Sequence, residues 1–266
     1  MLEIFQYDFM LRAFVAGFII SILAPSIGIF LVVKRYSLLT DTLSHVSLVG
    51  VALGLLAGIN PIITAIGVSV VAALGMEKLR HAKKIFGESI LTLFLSGGLA
   101  LSLIIFGLSR GLNVNIFTYL FGSITTVSAG DLRLMGGFGF VIIIIIYTLF
   151  KRFFITAYDE ELAQANGLPI KFLNLTLMIL AAVTISISMR IVGALLVGAL
   201  MVIPVLAATQ FGKSFLKTFF YSVGISILSV TTGLFASFYL NLPTGATIVM
   251  SALILFVISL AINKKS

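Results

Sequence analysis

The chain has 266 residues, 60% of them hydrophobic and only 10% charged, where a soluble domain carries about 25% charged residues. A core of this length cannot hide so much apolar surface, so lipid must cover part of it and a soluble globular fold is excluded. The chain has no cysteine, which rules out disulfides and thiolate metal ligands, and its net charge of +8 is scattered over short segments, which argues against a nucleic-acid partner.

In chain order, residues 1–8 hold no basic n-region, and the run that follows is long enough to span, so no cleavable leader is expected. The first span is predicted over 10–33 and the second over 39–58, with Asn60-Pro61 as the turn after it. A third runs 62–77, a fourth 87–109, and 110–115 forms a turn. Residues 116–128 are apolar but too few to cross roughly 30 Å of hydrocarbon. They read as a partial or re-entrant helix, which is tolerated only under cover of protein or a wet cavity. Further spans follow at 132–150, 169–189, 191–209, 218–240 and 246–262. A polar acidic segment at 158–168 separates two of them, and NLPTG (241–245) turns before the last.

The expectation is an all-α polytopic membrane protein with a single domain over 1–266. It has about nine transmembrane helices, or eight if one segment proves interfacial, plus the short re-entrant helix and a short polar one. Thirteen of the 17 basic residues fall at alternate loops: Lys34, Arg35, Lys78, Arg80, Lys83, Lys84, Lys151, Arg152, Lys171, Lys213, Lys217, Lys264 and Lys265. The positive-inside rule puts those loops in the cytoplasm, hence the N-terminus outside and the C-terminus inside. Small residues at four-residue spacing, as in Gly50, Gly54 and Gly58, suit close helix packing in lipid.

Chemistry concentrates in the second span. Asp41 and His45 are the only carboxylate and the only histidine clearly inside a span, and their spacing of four puts them on one helix face. An ionisable pair at membrane depth is costly and marks a functional site. A carboxylate and an imidazole also make half a site for a divalent cation such as zinc. The alternative is a hydrogen-bonded pair that fixes helix packing. His81 reads as a solvated histidine of the basic loop.

In YDEELAQANGLP (158–169), acidic residues suit a helix N-terminus, Gly167 suits its C-terminal cap and Pro169 stops it. The product is a short helix between spans, either a plain connector or a docking helix for a cytoplasmic partner. Gly212-Lys213-Ser214 imitates the end of a phosphate-binding loop, but Ala207 stands where a glycine is needed. With no other nucleotide or hydrolase motif, the chain is not expected to be an enzyme.

KRYSLLTDTLSHVSLVGVALGLLAGINP (34–61) resembles the signature region of bacterial metal-ion ABC permeases, the membrane subunits of zinc and manganese uptake systems. The likeness continues through YLFGSITTVSAGDL (119–132), DEELAQANGLP, VGALLVGALMVIPVLAATQ (192–210) and NLPTGATIVM (241–250), in order along nearly the whole chain. It implies half of a homodimer with the translocation path at the two-fold interface. It implies a cytoplasmic ABC ATPase docked on a coupling helix made of Asp159, Glu160, Glu161, Ala163, Gln164, Asn166 and Gly167. An extracellular solute-binding protein would deliver the ion.

Asp41 and His45 match the family's acidic and histidine positions and carry over as metal-path residues. Many relatives have Asp-x-Pro at the last turn, where this chain has Asn241. The stretch MLEIFQYDFMLRAFVAG resembles zinc permeases of Gram-positive bacteria, so the implied cargo is Zn2+ ahead of Mn2+ or iron, with no permanently bound cofactor. The rival class is a secondary transporter or channel without an ATPase, which should show inverted repeats and more mid-membrane charge.

Overall fold

A computed structural model of the chain describes residues 3–81, 87–108 and 116–263, all helical where regular. The loop bearing Lys83 and Lys84, the turn at 110–115 and the terminal Lys264 and Lys265 lie outside the described residues.

Among the described residues eleven α-helices follow in order: α1 (Asp8–Val33), α2 (Ser37–Ala57), α3 (Pro61–His81), α4 (Gly87–Leu108), α5 (Ile116–Phe121), α6 (Ala129–Tyr158), α7 (Glu160–Ala165), α8 (Ile170–Val192), α9 (Val197–Thr209), α10 (Phe215–Leu240) and α11 (Thr244–Asn263). Eight of them are long and apolar enough to cross a membrane, the lower of the two counts the sequence allowed. The ninth apolar run is α9, which is about 20 Å long.

α1 is the hub of the bundle and packs against α6, α8, α9 and α10. Ile20, Leu23, Ile27, Phe30 and Leu31 on it are fully buried. At its C-terminal end the Phe30 ring meets Phe150, Phe153 and Phe215, with centroids 5.5, 5.5 and 5.6 Å away. These tilted and edge-on contacts fix the ends of α6 and α10 against α1. α2 packs on α3, α4, α8 and α9. Where it meets α3 and α8, Ser47 Oγ lies 2.6 Å from Ser69 Oγ and 2.9 Å from Ser186 Oγ, all three fully buried. Small hydroxyl side chains suit this position, because helices that gain no hydrophobic drive from lipid associate by close packing and hydrogen bonds.

Three boundaries differ from the expectation for identifiable reasons. The span predicted at 132–150 is the 30-residue α6, so Lys151 and Arg152 stand on a continuing helix rather than in a loop. Ser128 starts it with a capping box: its hydroxyl accepts from the Asp131 backbone at 3.1 Å, and Asp131 accepts from the Ser128 backbone at 3.0 Å. The partial helix expected over 116–128 stops at Phe121, turns, and continues as a single 3-10 turn over Ile124–Thr126.

The span predicted at 191–209 is not continuous. α8 runs on to Val192, and the chain leaves it at Gly193 with φ 86°. That conformation suits glycine, and a β-carbon there would fall on the Leu120 carbonyl. The non-helical stretch before α9 is tolerated because α5 satisfies it: the Ala194 and Leu195 N–H groups donate to Tyr119 and Leu120 carbonyls at 2.8 and 3.2 Å.

Candidate functional site

Asp41 and His45 sit one turn apart near the start of α2, about 6 and 12 Å along the helix from Ser37. Their neighbours Thr40, Thr42, Leu43, Ser44 and Val46 are buried, whereas Asp41 is exposed and His45 half-buried. The Thr40 hydroxyl donates to the Ser37 carbonyl at 2.7 Å and the Ser44 hydroxyl to the Thr40 carbonyl at 2.8 Å. These hydroxyls are therefore spent on their own helix. The pair points out of the protomer while its flanks pack inward.

Two glycines shape the surroundings. A β-carbon on Gly198, in the first turn of α9, would fall on the Asp41 carboxylate and crowd the Thr40 hydroxyl. A β-carbon on Gly98 of α4 would lie 3.1 to 3.3 Å from the backbone at His45 and Val46. α9 and α4 thus approach the two ends of the pair at backbone distance. The His45 Nδ1 atom is buried without a hydrogen-bond partner. Among the described residues no third histidine or acidic group joins Asp41 and His45 to complete a metal cluster. The geometry supplies one exposed carboxylate beside Gly198 and one half-buried imidazole whose Nδ1 is unpartnered.

The basic end of the bundle carries α7. Asp159 caps it, its carboxylate accepting from the Leu162 N–H at 2.9 Å. Gly167 closes the other end in the left-handed region at φ 71°, and the Asn166 side chain donates to the Leu162 carbonyl at 2.8 Å. Glu161, Gln164 and Asn166 face outward, but Ala163 is fully buried and packs inward. Glu160 also turns inward: it accepts from Lys34 Nζ at 2.7 Å and from Asn174 Nδ2 at 3.1 Å, and Lys34 donates to Asn174 Oδ1 at 2.7 Å.

Burial pulls the Lys34 ammonium below its ordinary range, opposed by the hydrogen bond and charge of Glu160. Partial burial pushes the Glu160 carboxyl up, but the Lys34 and Asn174 hydrogen bonds and the Lys34 and Arg80 charges bring it below its usual value. Each partner therefore favours the charged form of the other, although for Lys34 burial outweighs that support. Sequence reasoning does not find this ring. A polar Asn174 inside the apolar run 169–189, near a predicted basic loop, is the one signal for it.

At the opposite end the buried Asp131 and the partly buried Arg190 form an ion pair of 3.2 Å, and Arg190 also donates to the Thr126 carbonyl at 2.9 Å. The pair ties the segment after α5 to α6 and α8. From the sequence, Arg190 reads only as a charge between two spans, whereas α8 extends past it.

The chain and its fold are similar to known proteins. The chain is 30% identical over 255 residues to the high-affinity zinc uptake system membrane protein ZnuB of Haemophilus influenzae, covering 96% of this chain and 98% of that one. It is 30% identical over 260 residues to the manganese import system permease protein ScaB of Streptococcus parasanguinis, covering 98% and 92%. The solved structure of PsaBC from Streptococcus pneumoniae in complex with Fab matches with a TM-score of 0.87 at 29% identity, covering 97% of this chain and 92% of that one. The family model described as the ABC 3 transport family matches residues 6–263. With eight membrane-length helices among its described residues, this chain is an integral membrane protein that belongs to the ABC 3 transport family of metal-ion permeases.

Proposed function

We propose that the protein is the permease of an ATP-driven importer of divalent metal ions, with zinc as its cargo and Asp41 and His45 on the ion path. The observation that carries this reading is an exposed carboxylate and, one turn on, a half-buried imidazole with an unpartnered Nδ1 atom, on a stretch of α2 whose flanking residues are buried. An ionisable group at membrane depth does not face lipid. A second copy of the chain and the water between the two copies are the cover that suits it, which puts the path at a homodimer interface. Two protein donors per copy bind a cation weakly, as a path must if the ion is to leave. The resemblance of the N-terminal stretch to zinc permeases, and an imidazole donor, favour zinc over manganese.

The basic end is cytoplasmic by the positive-inside rule, with the N-terminus outside and the C-terminus inside. There α7 presents Asp159, Glu161, Gln164, Asn166 and Gly167 to a separate ATPase dimer, while a solute-binding protein feeds the opposite mouth. ATP-driven closure of the ATPases then moves α7, and the interface alternates between openings.

The test is uptake of radioactive zinc and manganese into cells lacking their own permease, complemented with the chain or with its Asp41→Asn and His45→Ala forms at matched expression. Zinc entry with the unaltered chain alone supports the reading. Normal transport by both variants makes the pair structural. Manganese entry without zinc keeps the permease and overturns the metal.

A further inference from the structure

The ring of Lys34, Glu160 and Asn174 joins three parts of the chain that a connector helix has no need to join. Glu160 belongs to α7, Asn174 to the first turns of α8, and Lys34 to the three-residue turn between α1 and α2. The Lys34 side chain is 5% exposed, whereas that of Glu160 is 45% exposed. The lysine is thus the buried centre of the ring and the glutamate its outer edge. Its bonds are charge-assisted, the stronger class.

The turn that holds Lys34 is stiff. Arg35 sits at φ 60°, rare for a residue with a β-carbon. The Arg35 N–H donates to the Val32 carbonyl at 3.0 Å and the Tyr36 N–H to the Leu31 carbonyl at 2.8 Å. The Tyr36 ring lies under both Lys34 and the Arg80 guanidinium, at 5.7 and 5.3 Å from its centroid. A displacement delivered to Lys34 is therefore passed on rather than absorbed. α2 begins at Ser37, the next residue after Tyr36, and Asp41 follows about one helical turn later.

We propose that Lys34 is the positioning residue that transmits movement of α7 to α2, so that displacement of the α7 surface re-aims Asp41 and His45. This rests on the reading of α7 as the ATPase-docking helix. It also gives the two sides of that helix different roles, with Glu161 and Gln164 turned to the ATPase and Glu160 turned to the path.

The chain has no cysteine, so a single environment-sensitive fluorophore can be placed at Ala165→Cys on α7 or Leu38→Cys on α2. The complex of permease and its ATPase, in lipid nanodiscs, is compared without nucleotide and after trapping with ATP and vanadate. In the parent both labels are expected to shift on trapping. In Lys34→Met the α7 label still shifts and ATP hydrolysis stays within about twofold, but the α2 shift disappears and zinc uptake falls at least about tenfold. Lys34→Arg, and the exchange Lys34→Glu with Glu160→Lys, restore the α2 shift. An α2 label that still responds in Lys34→Met overturns the inference. So does loss of the ATPase from the Lys34→Met complex, which would make the ring mere support for docking. An α7 label that ignores the ATPase in the parent overturns the docking reading, and the coupling with it.

Discussion

Gly198 is the residue on which the geometry around Asp41 turns. It has no side chain, and the Asp41 carboxylate and Thr40 hydroxyl occupy the space a side chain would take. Gly198→Ala must push the carboxylate away from α9 or part the two helices, because a packed interior has no slack to receive a methyl group. We expect it to lower metal uptake at least about tenfold at matched expression, with a folding cost of about 1–3 kcal/mol. Gly136→Ala on α6 is the control, since a β-carbon there meets nothing. It should leave uptake unchanged and, in a helix interior, stabilise by about 0.5–1 kcal/mol. Equal loss of uptake in both variants would remove the special role of Gly198. Asn241 also finds its explanation in a single residue's geometry. This asparagine caps α10 in the left-handed region at φ 52°, which asparagine tolerates. Its place is thus explained by the backbone turn alone.

Among the elements, the stability of the end opposite α7 depends on how α5, the start of α6 and the end of α8 are joined. Asp131 serves two elements at once: it completes the capping box of α6 and pairs with Arg190 of α8. It is 2% exposed, and the Arg190 side chain is 19% exposed. Removing Asp131 leaves the Arg190 charge partly buried with only the Thr126 carbonyl to satisfy it, at a cost below that of a fully buried pair, about 1–3 kcal/mol. Asp131→Ala should lower the unfolding free energy in detergent by about that much, and Asp131→Asn, which keeps an acceptor for the cap, by less. If both variants unfold like the parent, the pair does not hold this end together. The half-length α9 is shaped by the same neighbours. Gly193 breaks the helix, and α5 accepts the freed N–H groups, so an irregular backbone survives inside an apolar bundle.

Across the molecule, the surface divides by what covers it. On α6, Phe140, Ile143, Ile144 and Tyr147 are exposed, Tyr147 at 84%. This is an uncharged, aliphatic and aromatic stripe suited to lipid. On α2 the exposed positions near Asp41 include Leu38, at 39%, beside a cavity of about 460 Å³ that Lys34, Glu77 and Arg80 also line. A thiol introduced in an otherwise cysteine-free chain reads the difference. In inside-out vesicles a small charged thiol reagent should modify Leu38→Cys rapidly and Tyr147→Cys at least about tenfold more slowly. Equal rates would mean that the two faces share one environment, and the wet path at α2 would be lost.

The class and most of the elements were legible from the residues in order, because both rest on local quantities. Apolar runs of membrane length, alternating basic loops and the punctuation of Asn60-Pro61 and Gly167-Leu168-Pro169 are properties of neighbours along the chain. So is the spacing that puts Asp41 and His45 on one face. Whatever depends on residues far apart meeting was not legible there. Nothing along the chain revealed that Lys34 reaches Glu160, 126 positions away, or that Gly198 lies against Asp41. Nor did it reveal that residues 191–209 break at Gly193 because Leu120 and its neighbours stand ready to take the backbone. A buried polar group is satisfied by whichever partner the packing brings to it. Which partner that is, and so which face of α7 looks inward and which side of α2 looks out, was settled only when the helices closed around α1.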